Sequence, residues 1–383
     1  MAKHFKISLG MRDLAELQKL HSSKWLRYPG DVLPMHVAEM DFEVDPGVRA
    51  MLTEMVANSD LGYLGPIPEA AEAFVGFAQR HWGWTPDAAQ VRMTTDVGVG
   101  VVEVIRALSK TGDKVIVTSP VYHSFYMWLD ELKLTIVDVP LLPEDNEWIL
   151  DLAGIEAQFA AGARFILLSS PHNPVGRIHT LAELTAIAEL SNKYNAYVVV
   201  DEIWAPLVFG EQKFVPYLSI PAAQRRGIVV TSSSKAFSLA GLKAAIIVTQ
   251  NQEMFEELNA MPEANHWRAS LLGGFAMAKC FNDGDKWLAE TMAKLDHNRK
   301  LVKELLAKYL PAAKYVIPES TYLAWIDVSC LGLGDSASDL LIENNKVAFN
   351  PGTEFGDQFG AYIRLNFATS PEIIEEGIKR LAS

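Results

Sequence analysis

The stretch IVVTSSSKAFSLAGLK, residues 228–243, joins an apolar, β-branched run to three serines and a lysine, Lys235. The run has the composition of a buried strand, and an ammonium group at the end of such a strand is costly unless it is paired or neutralised. The ordinary alternative is a lysine on a surface loop. A second lysine, Lys243, follows behind the small pair Ala240 and Gly241. The stretch therefore predicts a strand and a polar turn, and it leaves the purpose of Lys235 open.

Six further apolar runs resemble this strand, and helix-patterned segments such as residues 101–110 and 181–195 alternate with them. Near-continuous apolar strands are typical of a mostly parallel sheet with helices on both faces. We therefore expect an α/β fold whose large domain has a mostly parallel seven-stranded sheet sandwiched by helices. The seven runs are residues 91–95, 114–120, 134–140, 164–171, 196–202, 227–233 and 243–249.

The chain beyond about residue 270 has a different pattern, a long helical stretch followed by the strand-like pieces KYVIPES, TYLAWIDV, KVAFN and YIRLNFA. Separated short strands of this kind predict antiparallel pairing in a smaller α+β domain. The first residues precede the first strand of the large sheet, and we expect them to pack with that smaller domain. The predicted division is an N-terminal segment (1–45), a large domain (46–268) and a small domain (269–383).

The composition of the chain argues against several classes of function. The chain has 383 residues, 49% of them hydrophobic, which is enough for a large core, and its net charge of −13 argues against a nucleic-acid or anionic-membrane partner. Cys280 and Cys330 stand far apart without metal-ligand spacing, so neither a disulfide framework nor a metal site is predicted. The N-terminal residues lack an apolar core typical of a signal peptide or membrane anchor, and we expect a cytoplasmic protein.

Polar residues follow several of the predicted strands, and ligands of open parallel sheets bind beyond the carboxyl ends of the strands. Each of these residues alone has an ordinary explanation: glycines for a tight turn, an aspartate that caps a helix, an asparagine in a turn. Glycine at a helix N-terminus also leaves backbone N–H groups free for a phosphate. The strand ends supply Val97 and Gly98, Tyr122, Asn173, Asp201, and Ser234 with Lys235.

This combination fits the cofactor pyridoxal 5′-phosphate (PLP). Its phosphate suits the helix N-terminus and the hydroxyl groups, and its ring suits an aromatic side chain. Its phenolate oxygen suits an amide, its ring nitrogen suits a carboxylate, and its aldehyde suits a lysine amine. The sequence therefore predicts a PLP site with Lys235 as the covalent attachment point.

The same residues give the chain a resemblance to the fold-type I PLP enzymes of the aspartate-aminotransferase superfamily over nearly its whole length. Ser232, Lys235 and Lys243 match a Ser-x-x-Lys pattern with a basic residue eight positions after the lysine. NPVG at 173–176 and the pair Asp201-Glu202 match two further elements. Arg364, in YIRLNFA, matches the arginine that binds the substrate α-carboxylate.

Within the superfamily the chain looks most like the cystathionine β-lyase (C–S lyase) branch, on the stretches VAEMDF, GYLG, SPHNPVG, VDEIWAPLVF, STYLAWIDV and NPGTEFG. The resemblance implies catalytic roles for Lys235, Tyr122 and Asp201 and a homodimer with shared active sites, in which Tyr63 reaches the phosphate of the neighbouring subunit. It implies that the cofactor is held by Val97, Gly98, Tyr122, Asn173, Asp201, Ser232, Ser234, Lys235, Lys243 and Tyr63, and the substrate by Arg364 and Trp204.

Trp204 departs from the pattern, because this position is often tyrosine in the wider superfamily and often histidine in these lyases. An indole donates a hydrogen bond but accepts none, so Trp204 is either a wall of the pocket or a donor to the cofactor. Three functions stay open: β-elimination from cystathionine or another cysteine S-conjugate, transamination of an amino acid with a 2-oxo acid, and a regulatory or binding role on the same fold. The complete catalytic set favours an enzyme that acts on a small-molecule amino-acid substrate.

Overall fold

A computed structural model of the chain describes residues 11–144 and 147–383. Its helices alternate with strands up to about residue 260, and a 25-residue helix follows in the C-terminal part of the chain. They are α1 (Leu14–Leu17), α2 (Ser23–Leu26), α3 (Pro46–Ala57), α4 (Pro68–Trp82), α5 (Val97–Leu108), α6 (Ser124–Glu131), α7 (Leu152–Ala160), α8 (Leu181–Tyr194), α9 (Gln252–Glu257), α10 (Ala264–Trp267), α11 (Leu271–Asp283), α12 (Asp285–Tyr309), α13 (Ala337–Asn345) and α14 (Pro371–Leu381).

The strands form one large sheet, one smaller antiparallel sheet and two short pairs. They are β1 (Leu33–Pro34), β2 (Val91–Thr94), β3 (Lys114–Val117), β4 (Thr135–Asp138), β5 (Leu142–Glu144), β6 (Glu147–Ile149), β7 (Ala163–Ser169), β8 (Tyr197–Asp201), β9 (Gly227–Thr231), β10 (Ala245–Val248), β11 (Lys314–Tyr315), β12 (Leu323–Asp327), β13 (Val347–Ala348), β14 (Asn350–Pro351) and β15 (Tyr362–Asn366).

The large sheet has seven strands in the order β2-β10-β9-β8-β7-β3-β4. Strand β10 runs antiparallel to both of its neighbours, and the other pairs from β9 to β4 are parallel. All seven predicted apolar runs lie in this sheet, so the predicted fold class is confirmed. Every residue of β8 and β9 is buried, as expected for central strands covered on both faces.

The register of this sheet brings polar groups together at one edge. Asp201, the last residue of β8, lies beside Ser169 of β7 and Val230 of β9. The chain leaves β9 at Thr231 and reaches Lys235 four residues later, on the same edge. Helix α5 begins just beyond the end of β2, and it packs against β8, β9 and β10. The carboxyl ends of the strands and the N-terminus of α5 therefore face one region.

The smaller sheet has the order β11-β12-β15-β14 and is antiparallel throughout. Antiparallel pairing is confirmed for three of the four predicted pieces, but the prediction was wrong for the start of KVAFN. Its residues Val347–Ala348 form β13, which pairs in parallel with β1 near the other end of the chain. The sequence could not show this, because an edge strand of two residues has no periodicity of its own.

The N-terminal segment is bound to the C-terminal sheet by further hydrogen bonds. The Asn366 backbone N–H donates to the Met35 carbonyl at 2.9 Å, and the Asp41 N–H donates to the Ala368 carbonyl at 2.9 Å. The amide side chain of Asn366 donates to the carbonyls of Val37 and Glu39, both at 2.7 Å. These contacts hold residues 35–41 against the region beyond the large sheet's carboxyl edge, while the predicted domain boundaries stay a prediction.

Within residues 11–144 and 147–383 no helix has both the length and the apolar character required to cross a membrane. In the same ranges, no cluster of three or more His, Cys, Asp or Glu side chains has an arrangement that could hold a metal ion.

Candidate active site

A cleft of about 700 Å³ lies between the carboxyl edge of the large sheet, the N-terminal segment and the smaller sheet. Ten of the twelve predicted site residues line it: Val97, Gly98, Tyr122, Asn173, Asp201, Trp204, Ser234, Lys235, Lys243 and Arg364. Ser232 and Tyr63 do not. Residues that are far apart in sequence therefore converge on one cavity of the size of a small-molecule site.

The N-terminus of α5 forms a phosphate-sized cradle on this cleft. Asp96 caps the helix by accepting a hydrogen bond from the Val99 N–H at 2.8 Å. The N–H groups of Val97 and Gly98 occupy the first two helical positions, where the helix itself offers no acceptor. A Cβ on Gly98 would lie 2.7 Å from Cζ2 of Trp128, so this close approach requires glycine. The cradle suits an anion, as predicted from the sequence.

Lys243 contacts this helix end in a different way from the one expected. Its Nζ lies 2.9 Å from Oδ2 of the capping residue Asp96, and its side chain is largely exposed. The lysine therefore neutralises the aspartate beside the cradle. Its predicted contact with a phosphate stays a prediction.

Two serines of the opening stretch, Ser232 and Ser234, have different positions. Ser234 lines the cleft. Ser232 is buried behind it, where its hydroxyl donates to the Ala244 carbonyl at 2.7 Å and accepts from the Ser234 N–H at 3.1 Å. These bonds shape the turn that presents Lys235, and a phosphate contact by Ser232 stays a prediction.

Tyr63 is 92% exposed, and nothing in this chain covers it within the described ranges.

Asp201 is a buried carboxylate at the floor of the cleft. Its Oδ1 accepts from the Ile203 N–H at 3.0 Å, and no cationic side chain among the described residues forms an ion pair with it. Burial raises its pKa to about 7, against the opposing effects of the Ile203 hydrogen bond and the positive charge of Lys235. A carboxylate of this kind is stabilised by a ligand that brings its own positive charge, such as a protonated ring nitrogen.

Lys235 reaches across the cleft from the turn after β9. Its Nζ donates to the Ala38 carbonyl at 2.9 Å and lies 5.9 Å from the centroid of the Trp204 ring. Burial lowers the pKa of this amine to about 8, and the positive charge of Arg364 lowers it further than Asp201 restores it. More of the amine is therefore neutral near neutral pH than in an ordinary lysine, and the neutral form is the one that a nucleophile or a base requires.

Arg364 is a buried guanidinium held by neutral acceptors. Nη1 donates to Oδ1 of Asn173 at 3.2 Å, and Nη2 donates to Oδ1 of Asn350 at 2.6 Å and to the His36 carbonyl at 3.3 Å. Its Nε is buried without a hydrogen-bond partner, and burial lowers the pKa to about 10. No carboxylate among the described residues lies within ion-pair distance. This arrangement fits a carboxylate ligand.

Aromatic side chains form the remaining walls. The Tyr122 ring packs edge-on against Trp128, with ring centroids 5.8 Å apart. Trp204 is buried and packs edge-on against Tyr322, with centroids 4.8 Å apart. The Tyr322 hydroxyl donates to the Ala38 carbonyl at 2.9 Å, so this carbonyl receives both Tyr322 and Lys235. Trp204 is thus in the position of a wall residue.

Some functional groups of the cleft were not predicted from the sequence. The Ala38 carbonyl belongs to the backbone, and no side-chain pattern reveals it. Asn350 lies in NPGTEFG, a stretch used only as a mark of resemblance, and its Nδ2 donates to Oε2 of Glu354 at 3.0 Å. Arg27 also lines the cleft and belongs to no motif.

Four features of the cleft fit PLP: the cradle, the buried carboxylate of Asp201, the buried amine of Lys235 and the amide of Asn173. Because Oδ1 of Asn173 accepts from Arg364, its NH₂ group is left to donate to a cofactor oxygen. Fold and site together define a fold-type I PLP-dependent enzyme.

The chain belongs to the aminotransferase class I and II family, whose model matches residues 31–381. It is 33% identical over 371 residues to the cystathionine beta-lyase of Corynebacterium glutamicum, covering 97% of this chain and 98% of the relative. Cystalysin from Treponema denticola, a structure that contains pyridoxal 5′-phosphate, is 28% identical with a TM-score of 0.90 and 95% coverage of both chains. The aspartate aminotransferase of Pyrococcus horikoshii is 25% identical, covering 92% and 90%. The resemblance inferred from the motifs is confirmed.

Proposed function

We propose that the protein is a PLP-dependent carbon–sulfur β-lyase. It would convert L-cystathionine or a related cysteine S-conjugate, with water, into a thiol, pyruvate and ammonia; for cystathionine the thiol is homocysteine. The proposal rests on one observation. A single cleft holds a nucleophilic lysine between a buried carboxylate and a buried guanidinium, and neither of these two groups has an ion-pair partner in the part of the chain that the structure describes. The higher identity to a cystathionine beta-lyase than to an aspartate aminotransferase supports elimination over transamination.

The residues of the cleft would have different roles in this reaction. PLP, when bound, supplies an electron-withdrawing ring that makes the Cα proton of the substrate acidic. Asp201 would hold the ring nitrogen protonated, and the amides of Val97 and Gly98 would hold the phosphate. Arg364 would bind the substrate carboxylate through its Nε–H, which has no hydrogen-bond partner among the described residues, and this contact would orient the Cα–H bond.

Lys235 would act as the base that takes the Cα proton. Its lowered pKa leaves it neutral in part at physiological pH, and the carbonyl of Ala38 gives its Nζ a fixed acceptor on the opposite wall of the cleft. The sulfur then leaves from Cβ as a thiolate that takes up a proton. Asn350 and Asn173 would keep the guanidinium of Arg364 in place throughout.

The test is to incubate purified holoenzyme with L-cystathionine in the absence of any 2-oxo acid and to measure pyruvate and free thiol. Equal amounts of both are expected, and Lys235→Ala should produce neither. Turnover that yields no pyruvate from any S-substituted cysteine and requires 2-oxoglutarate would establish an aminotransferase instead. Both reactions use the same residues up to loss of the Cα proton, so product analysis is the discriminating measurement.

A homodimer with shared active sites is part of the proposal, as is a cytoplasmic location. Tyr63 and its neighbour Leu61 are exposed to 92% and 56%, and both are side chains that proteins usually cover. In the proposed dimer Tyr63 would reach the phosphate in the other subunit. Tyr63→Ala would then weaken PLP retention without unfolding the chain, and retention equal to that of the wild type would contradict this role.

A further inference from the structure

We propose that Arg27 forms a second anion-binding subsite at the open end of the cleft and selects substrates whose leaving group carries a carboxylate. The inference rests on the proposed function and extends it to the leaving half of the substrate. Arg27 belongs to no sequence motif.

The charge of Arg27 has no ion-pair partner among residues 11–144 and 147–383. It directly follows α2, lines the cleft and is exposed, and the contact of its guanidinium is with the ring of Tyr28 at 5.8 Å. Within the described ranges no Asp or Glu forms an ion pair with it. Two other charged residues of the cleft, Lys243 and Glu131, do have ion-pair partners. Arg27 is therefore a cation available to a ligand.

Arg27 and Arg364 lie on the same wall of the cleft. The ring of Tyr28, adjacent to Arg27, packs edge-on against the ring of His36 with centroids 5.0 Å apart. The His36 carbonyl in turn accepts a hydrogen bond from Arg364. Arg364 is the buried end of this row and Arg27 the exposed end.

The positive charges of Arg27 and Arg364 both lower the pKa of two nearby histidines, His36 and His123. Burial lowers the pKa of His36 to about 3, and the charges of Arg27, Lys24 and Arg364 lower it further. The pKa of His123 is lowered to about 4 by burial and then by Arg364, Arg27 and Lys235. Both histidines are thus neutral and do not compete with the two arginines for an anion.

The geometry assigns the two arginines to the two ends of one substrate. With the α-carboxylate on Arg364 and the Cα at Lys235, the group attached to sulfur extends toward the opening, where Arg27 lies. A guanidinium binds a carboxylate through two parallel hydrogen bonds. The leaving half of L-cystathionine carries such a carboxylate, whereas that of S-ethyl-L-cysteine carries no charge. Arg27 would therefore contribute to binding of the first substrate only.

The experiment compares Arg27→Ala with the wild-type holoenzyme on these two substrates. We expect kcat/KM for L-cystathionine to fall about fivefold to tenfold, mostly through KM, which corresponds to about 1–1.4 kcal/mol. For S-ethyl-L-cysteine it should change less than about twofold, and Arg27→Lys should recover part of the loss. Added salt should reduce the advantage of cystathionine in the wild type, because the site is exposed.

Arg268 provides the matched control. It is also an exposed arginine that lines the cleft without an ion pair among the described residues, but it lies in the segment beside Lys243, at the phosphate end. Arg268→Ala should therefore change kcat/KM for both substrates by the same factor. A charge reversal, Arg27→Glu, should lower activity on cystathionine further and raise that on S-(2-aminoethyl)-L-cysteine, whose leaving group is cationic.

If Arg27→Ala lowers kcat/KM equally for both substrates, or lowers it for neither, the proposed role of Arg27 is overturned. Dissociation constants of the two compounds, measured from the visible absorbance of the bound cofactor, supply a readout that does not depend on pyruvate release. If the wild type releases no pyruvate, the lyase proposal fails. The Arg27 proposal then fails only if the variant binds both compounds as the wild type does. Circular dichroism would verify that each variant is folded.

Discussion

The two walls of the cleft have opposite unpaired charges. The strand-end wall, formed at the carboxyl edge of the large sheet, buries the carboxylate of Asp201 without a cationic partner among the described residues. The small-sheet wall, formed by the N-terminal segment and the smaller sheet, buries Arg364 without an anionic partner in the same ranges. An unpaired buried charge destabilises a folded protein. Each wall therefore contains one member of an ion pair. A cationic cofactor ring would pair with the carboxylate of the strand-end wall, and an anionic substrate would pair with the guanidinium of the small-sheet wall.

Removal of Lys235, which connects the two walls, should have the largest effect. We expect Lys235→Ala to lower turnover by about 1000-fold or more, because both the covalent attachment and the base are lost. The visible absorbance of bound PLP should disappear while the far-ultraviolet circular dichroism stays unchanged. Lys193→Ala is the control, since this exposed lysine pairs with Glu156, does not line the cleft and should leave the absorbance in place. Retained absorbance and turnover in Lys235→Ala would refute the site.

Asp201→Asn tests the charge of the strand-end wall, and we expect a loss of about 100- to 1000-fold in turnover. Glu202→Gln is a matched control, because Glu202 is equally buried but accepts from the Tyr217 N–H at 2.7 Å and does not line the cleft. It should leave turnover within about threefold of the wild type. Equal losses in both variants would show that general burial of charge, and not the cofactor ring, explains the effect.

The same pair of variants predicts a pH dependence of cofactor-free stability. Burial raises the pKa of Asp201 from 3.8 to about 7 and that of Glu202 from 4.5 to about 8, so the folded state binds more protons than the unfolded state between these values. The free energy of unfolding therefore falls as the pH rises through this interval. Either amide variant should raise the Tm of the PLP-free protein near pH 9 but not near pH 4. A Tm gain that is equal at both pH values would contradict this explanation.

The small-sheet wall is tested at Arg364. Arg364→Gln should lower kcat/KM by about 10- to 100-fold, since charge-assisted hydrogen bonds contribute about 1.5–3 kcal/mol. Most of the loss should be in KM. Arg364→Lys should recover little, because an ammonium cannot hold Asn173, Asn350 and a carboxylate at once. A lysine variant with wild-type KM would show that only the charge matters.

Trp204 should give the smallest effect. If its indole is a wall held against Tyr322, Trp204→Phe should stay within about threefold of the wild type in kcat/KM, because an aromatic ring still fills most of the space. If the indole N–H donates to the cofactor, the loss should be larger and the visible absorption maximum should shift. The absorption spectrum of the purified variant separates the two outcomes.

The strand-end wall could be predicted from the sequence because its residues follow recognisable strands. Once β7, β8 and β9 are identified, parallel pairing alone brings Asn173, Asp201 and Lys235 to one edge. The small-sheet wall could not be predicted in this way. Arg364 was predicted only from the family resemblance, and the Ala38 carbonyl and Arg27 were not predicted. Their positions depend on contacts between the two ends of the chain, such as the pairing of β1 with β13, which no local pattern encodes.

The hydrogen bond between Arg364 and the His36 carbonyl spans 328 residues and has a consequence for synthesis of the chain. At a translation rate of about 5–20 residues per second, the ribosome makes the second partner roughly 16–66 s after the first. The large sheet can form in that interval, but the substrate-binding half of the cleft cannot. A nascent chain would thus acquire its lysine and carboxylate well before it could bind an amino acid, and a ribosome-bound fragment ending before residue 364 should capture PLP without turning over substrate.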